Sequence, residues 1–204
     1  MTLPSRRAFA AAAMASLLVG CGGHGAGQAT TTARPGRTAP SSRPAAKPAH
    51  ALGRSVPVRL QIPAIGVDTP LMRLGLAADG SVQVPPVTAH DRAGWYRHSP
   101  TPGQRGPSVI LGHVTVGAYG DGVFRHLARL RRGGRIVARL ENGTAAVFAV
   151  TAVQTVAKAD FPADAVYGDV DRPELRLITC GGPRNHDGYL DNVIVFAALS
   201  SASP

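Results

Sequence analysis

From residue 55 onward the chain predicts a mainly β fold, a closed barrel of seven to eight short strands joined by short helical turns. Three observations predict it. Short apolar runs recur along the chain, each bounded by Gly, Pro or Asn, as strands in a small β domain should be. An Asn-Gly pair, Asn142-Gly143, sits between two such runs and marks a tight hairpin. No long stretch carries the 3.6-residue apolar period of an amphipathic helix. So many short strands are best accommodated by closure, which removes exposed edges.

The elements follow in order. Val58-Arg59-Leu60-Gln61-Ile62 alternates apolar and polar, as a half-buried strand does. Pro63 to Val67 turns and continues, and Pro70 to Leu76 gives a further strand. Ser81-Val82-Gln83-Val84 alternates again and stops at Pro85-Pro86. Gly94-Trp95-Tyr96-Arg97 is a short aromatic piece before the turn Thr101-Pro102-Gly103. Ser108-Val109-Ile110-Leu111-Gly112-His113 is a buried-type strand, followed by a glycine-rich loop over 117–122. Val123, Phe124, Leu127 and Leu130 have the spacing of one or two helical turns, ended by Gly133-Gly134. Arg135–Leu140 and Thr144–Val156 make the hairpin about Asn142-Gly143, and 175–180 and 189–199 supply the last two strands.

The first 54 residues are of another kind. Ser5-Arg6-Arg7 precedes an apolar run that ends at Val19-Gly20-Cys21, the pattern of an export signal. The run is about thirteen residues, short of the roughly twenty that span a bilayer. Leu18-Val19-Gly20-Cys21 resembles a bacterial lipobox, which makes Cys21 the candidate lipidation site. Residues 22–54 are rich in Ala, Pro, Thr, Ser and Gly and read as a linker unable to bury a core. The expected organisation is therefore a signal over 1–21, a linker over 22–54 and a barrel domain over 55–204. The product is exported and tethered to the outer face of the cytoplasmic membrane, facing the cell wall.

Charge excludes one class. The net charge is +10, but the first 54 residues hold seven of the 22 Lys/Arg and no Asp/Glu. The remaining fifteen bases face twelve acids, so the domain itself carries only +3. The basic tail has no interleaved aromatic groups on which bases could stack, so nucleic acid is not an expected partner. The acidic residues are dispersed, which predicts no metal site, and no cofactor is expected.

The chemistry lies at two strand ends. With Cys21 lipidated, Cys180 is the one thiol left in an exported domain, an unusual circumstance that points to a reactive role. A thiol attacks as thiolate and needs a proton partner. His24 and His50 fall in the linker, His90 and His98 in loops, His126 on the helical turn, and His186 in a polar loop after Cys180. His113 alone closes a buried-type strand and is the candidate general acid/base. The amides of Gly181-Gly182 are candidate donors to an oxyanion.

These residues resemble those of the sortases. Leu177-Ile178-Thr179-Cys180 is similar to the family's nucleophile strand, and Leu111-Gly112-His113 to its histidine strand. The likeness extends to the class F, actinobacterial group through Arg59–Asp68, Ala93–Tyr96, Asp160-Phe161-Pro162, Ala165–Gly168 and Tyr189–Val195. The resemblance implies a cysteine transpeptidase. Cys180 would cleave an LPxTG-like sorting signal through a thioacyl-enzyme, and an amine of a peptidoglycan precursor or a pilin would accept the acyl group. His113 would serve both amines. The family's arginine on the last strand is missing, because no arginine follows Arg184. Counting along that strand leaves Asn192 as support for substrate or oxyanion, with Leu190 two residues before it and Arg184 as substitute.

Two rivals are weighed against this. An L,D-transpeptidase also uses Cys and His on a β fold, but Ile178-Thr179 before the cysteine and Gly181-Gly182 after it do not suit that motif. A non-catalytic lipoprotein barrel that binds cell-wall material would need Cys180 buried and inert.

Overall fold

The computed structural model describes residues 50–204 except Asp187. Cys21, the signal over 1–21, His24 and the linker up to residue 49 lie outside the described residues.

Eight strands close into a barrel: β1 (Pro57–Ile62), β2 (Val67–Leu74), β3 (Ala93–Tyr96), β4 (Gly106–Leu111), β5 (Arg135–Leu140), β6 (Ala145–Ala157), β7 (Pro173–Asn185) and β8 (Gly188–Ser203). Around the barrel they run β1-β2-β3-β4-β7-β8-β6-β5. The closed, mainly β architecture read from the sequence is the one observed. Most neighbours are antiparallel, but β2–β3 and β4–β7 are parallel. Parallel neighbours need long crossovers, and the β4-to-β7 crossover carries β5 and β6 to the far side of the barrel before the chain returns.

Local chemistry explains the tight joins. Pro63 opens a single 3-10 turn and Gly66 closes it in the left-handed region at φ 68°, so that Ile62 pairs with Val67. The β5–β6 hairpin turns where the Asn-Gly pair predicts, with Gly143 at φ 90°.

Leu60, Ile62, Trp95, Ile110, Phe124, Phe148, Leu175 and Leu177 fill the barrel interior. A second apolar cluster covers part of the outside. Val109, Ile178 and Ile194 of the barrel wall pack there against Val166 of the short helix α1 (Ala163–Tyr167). This double burial explains why β4 and the first half of β7 are buried at nearly every position, on both faces.

Two local expectations fail and a third is met in its shorter form. Ser81–Val84 is not a strand; only the bridge Leu76↔Val82 forms. Its alternation has no core to face, and Val84 stands exposed. The one or two helical turns expected over 123–130 are met by a single 3-10 turn, Leu127–Arg129, whose apolar neighbours Phe124, Leu127 and Leu130 plug the barrel. Pro70 does not begin a separate strand, since β2 runs through it and pairs it with Arg59.

Candidate active site

Strand register brings three side chains to one rim. Parallel β4 and β7 pair Leu111 with Ile178, and Gly112 N–H donates to the Ile178 carbonyl at 3.1 Å. Two residues further along each chain stand His113 and Cys180. Across the antiparallel β7–β8 pair, Cys180 lies directly opposite Asn192. Side chains so opposed have Cβ atoms about 4.5–5.5 Å apart. Neighbouring parallel strands lie about 4.8 Å apart. Cys180 is thus flanked by the His113 segment on one side and Asn192 on the other.

Strand alternation decides which face they share. Leu175 and Leu177 point into the core, so Ile178 and Cys180 lie on the outer face. Leu111 and Ile194, two residues from His113 and Asn192 respectively, belong to the same outer cluster. Leu111, Ile178 and Ile194 therefore form an apolar floor that runs along the outside of the wall up to the sulfur. The connection carrying Phe161 and α1 stands over it.

A buried arginine holds that connection in place. The Arg176 guanidinium bonds the Ala165 carbonyl of α1 at 3.2 Å, pairs with Glu174 at 2.6 Å and lies 4.6 Å from the Phe196 ring centroid. Tyr167 meets Tyr96 edge-on at 6.3 Å between centroids. Burial first, and Tyr96 second, hold the Tyr167 phenol above its ordinary value.

His113 is half-buried and firmly placed. Its carbonyl accepts from Phe124 N–H at 2.9 Å, and its ring Nε2 lies 2.6 Å from the Pro85 carbonyl oxygen. Gly122 packs on its backbone so closely that a Cβ there would collide with the His113 carbonyl. After Cys180 the ladder register breaks between Gly181 and Arg184. Gly182, at φ 71°, occupies this bulge, and any side chain on it would strike the Asp191 carboxylate. Farther out, Arg184 lies 5.0 Å from the Tyr189 ring centroid, and Tyr189 Oη is 3.1 Å from Thr115 Oγ1. That last bond ties the β7–β8 hairpin to the loop following His113.

The structure thus brings Cys180, His113 and Asn192 to one rim and leaves Arg184 in the hairpin beyond the bulge. His90 stacks on Tyr119, His98 lies against Tyr96, and His126 begins the 3-10 turn after β4. His186 stands at the hairpin turn. Among the described residues no group of three His, Cys, Asp or Glu side chains is arranged to hold a metal. Sequence reasoning missed Pro85, the Thr115–Tyr189 tie and the Arg176 clamp. Pro85-Pro86 was legible only as a strand stop, and nothing local tells that its carbonyl meets an imidazole 28 residues on.

The Sortase domain model matches residues 60–200. The chain belongs to the sortase family. The sortase is similar in fold to the SrtA sortase of Actinomyces oris, at 23% identity and a TM-score of 0.55, over 79% of this chain and 89% of that one. It is also similar to a Clostridium perfringens Sortase D5 transpeptidase, at 22% identity and TM-score 0.53, over 71% of this chain and 78% of the other. Listeria monocytogenes sortase A gives 15% identity and TM-score 0.55, with 73% and 90% of the two chains covered. No curated protein matches it. Family membership makes the sortase a cell-surface cysteine transpeptidase. The rival reading, a binding barrel with an enclosed inert thiol, is not favoured, and Cys180 is a free, partly accessible cysteine.

Proposed function

We propose that this sortase is of the class F type and cleaves an LPxTG-like sorting signal, passing the acyl group to an amine of a peptidoglycan precursor or a pilin. The observation that carries the reading is the shared rim: one ladder sets Cys180 beside the His113 segment, and the next sets it opposite Asn192. The sorting peptide meets the rim with its scissile carbonyl over the sulfur. Cys180 thiolate attacks that carbonyl, and the C–N bond breaks as His113 protonates the departing amine. The thioacyl-enzyme remains. An incoming amine attacks it, gives its proton to His113, and expels the thiolate to restore the enzyme. In both steps the oxyanion takes donors from the backbone after Cys180, around Gly181-Gly182, and from the Asn192 amide. No cofactor enters the scheme.

The tethered organisation, with a signal over 1–21 ending at Cys21, a linker over 22–54 and a barrel over 55–204, belongs to the same proposal. One feature supports it. Leu52 N–H donates to the Gly103 carbonyl at 2.8 Å, before the start of β4, whereas His113 follows the end of β4. The chain therefore enters the barrel at the end remote from Cys180. Among the described residues no helix is long and apolar enough to cross a membrane.

The test is cleavage of a fluorogenic sorting-signal peptide by the purified protein, with mass detection of the thioacyl adduct. Cys180→Ala and His113→Ala each abolish turnover while leaving the melting transition intact. Retained turnover in either folded variant overturns the assignment.

A further inference from the structure

An imidazole that shuttles protons has two ring nitrogens, and which one holds the proton depends on the partner of the other. In this sortase Nε2 of His113 lies 2.6 Å from the Pro85 carbonyl oxygen. A carbonyl only accepts, so the contact requires the proton on Nε2. The lone pair of the neutral ring is then on Nδ1, the nitrogen left for thiol and amine.

We infer that the Pro85 carbonyl is the positioning group of His113, holding its tautomer and ring orientation as a carboxylate does in many Cys–His and Ser–His catalysts. This rests on the reading of His113 as the acid/base.

The sequence builds this carbonyl into a rigid segment. Pro85 has its φ fixed by its own ring, and Pro86 behind it disfavours the helical region for Pro85. Pro86 itself is extended, at φ −57° and ψ 144°. Both flanks of the pair are pinned to the barrel. On the upstream side Gln83 N–H donates to the Gly75 carbonyl at 3.0 Å, and its Oε1 accepts from Gly75 N–H at 2.8 Å. Downstream, Ala89 N–H closes a turn onto the Pro86 carbonyl at 2.9 Å, and the His90 carbonyl accepts from Val123 N–H at 2.9 Å. Val87, next in the chain, joins His113, Val116 and Tyr119 around an open pocket of about 390 Å³, with Val87 and Tyr119 standing exposed at its mouth. Unlike a carboxylate, a main-chain carbonyl does not titrate, so the orientation holds at every pH.

The experiment uses the full chain with isotope-labelled histidine and Cys180→Ala, observed by NMR at about pH 8.5, well above ordinary imidazole titration. The expected signal is a His113 proton resident on Nε2 and protected from exchange with water. Replacing Pro85 and Pro86 together by glycine frees the carbonyl. In that variant the protected proton disappears, and with Cys180 restored the acylation rate falls roughly tenfold while KM for the peptide stays within about twofold. An unprotected ring or an Nδ1 proton in the unsubstituted loop overturns the inference, whether or not the glycine variant folds. So does an unchanged or faster rate once the proton is lost, since the carbonyl would then be idle or obstructive. A slower rate with the proton still protected also overturns it. Full turnover by His113→Ala would instead strike at the acid/base reading, which the NMR signal does not address.

Discussion

Gly122→Ala displaces His113 without removing any chemical group from it. A Cβ on Gly122 falls 2.8 Å from the His113 Cβ and closer still to the His113 carbonyl. Ordinary carbon contacts begin near 3.5 Å, so the His113 backbone must retreat by about 0.7 Å or more. The neighbour is main chain, held by Phe124 N–H at 2.9 Å, and cannot swing aside as a flexible side chain would. Overpacking of this kind costs about 1–3 kcal/mol of stability. Moving an acid/base by nearly an ångström costs catalysis up to about 100-fold. The assay is the rate of thioacyl formation on a sorting-signal peptide, beside a thermal melt. Gly53→Ala is the control, because a Cβ there meets nothing within 4 Å. The expected outcome is a folded Gly122→Ala protein that acylates at least about tenfold more slowly, with Gly53→Ala unchanged. A folded Gly122→Ala protein of normal rate would mean that the position of His113 does not matter to the reaction.

Further expectations concern the neighbouring groups. Asn192→Ala, facing Cys180 across the ladder, should lose about 100-fold in acylation, and Arg184→Ala, stacked on Tyr189, only a few-fold. The reverse order would move oxyanion support into the hairpin. Arg176→Met leaves Glu174 buried without its inner partner and should destabilise unfolding in denaturant by about 3 kcal/mol, much of it recovered by adding Glu174→Leu. A loss under about 1 kcal/mol would show the pair to be replaceable. The Tyr167 phenol, held above its ordinary 10.0, keeps its proton longer in the folded chain than in the unfolded one. Its contribution is therefore complete below about pH 10 and is lost as pH rises through the raised value. Melting curves should fall more steeply there than those of Tyr167→Phe, and parallel curves would refute it.

The barrel was legible because its information is local. Strand alternation at 58–62, the Asn142-Gly143 turn and the continuous runs into His113 and Cys180 each declare an element within a few residues. The clearest failure was a local signal without tertiary support: Ser81–Val84 alternates with no core to face. The candidate site was legible as residues and not as a geometry. Cys180 and His113 stood out as reactive groups at strand ends, and Asn192 only through the family resemblance, at the position of the missing last-strand arginine.

Composition and periodicity by themselves determined a small, closed β domain carrying a single thiol, with strands whose ends hold the reactive groups. Only the tertiary structure decided that β4 and β7 run parallel in one register, that Cys180 lies opposite Asn192 and beside the His113 segment, that Arg176 clamps α1 over the outer apolar cluster, and that the Pro85 carbonyl meets Nε2 of His113. The physical reason is range. A strand's pattern reflects what each residue sees within its own pleat, whereas register between strands separated by scores of residues is set by the packing of the whole barrel.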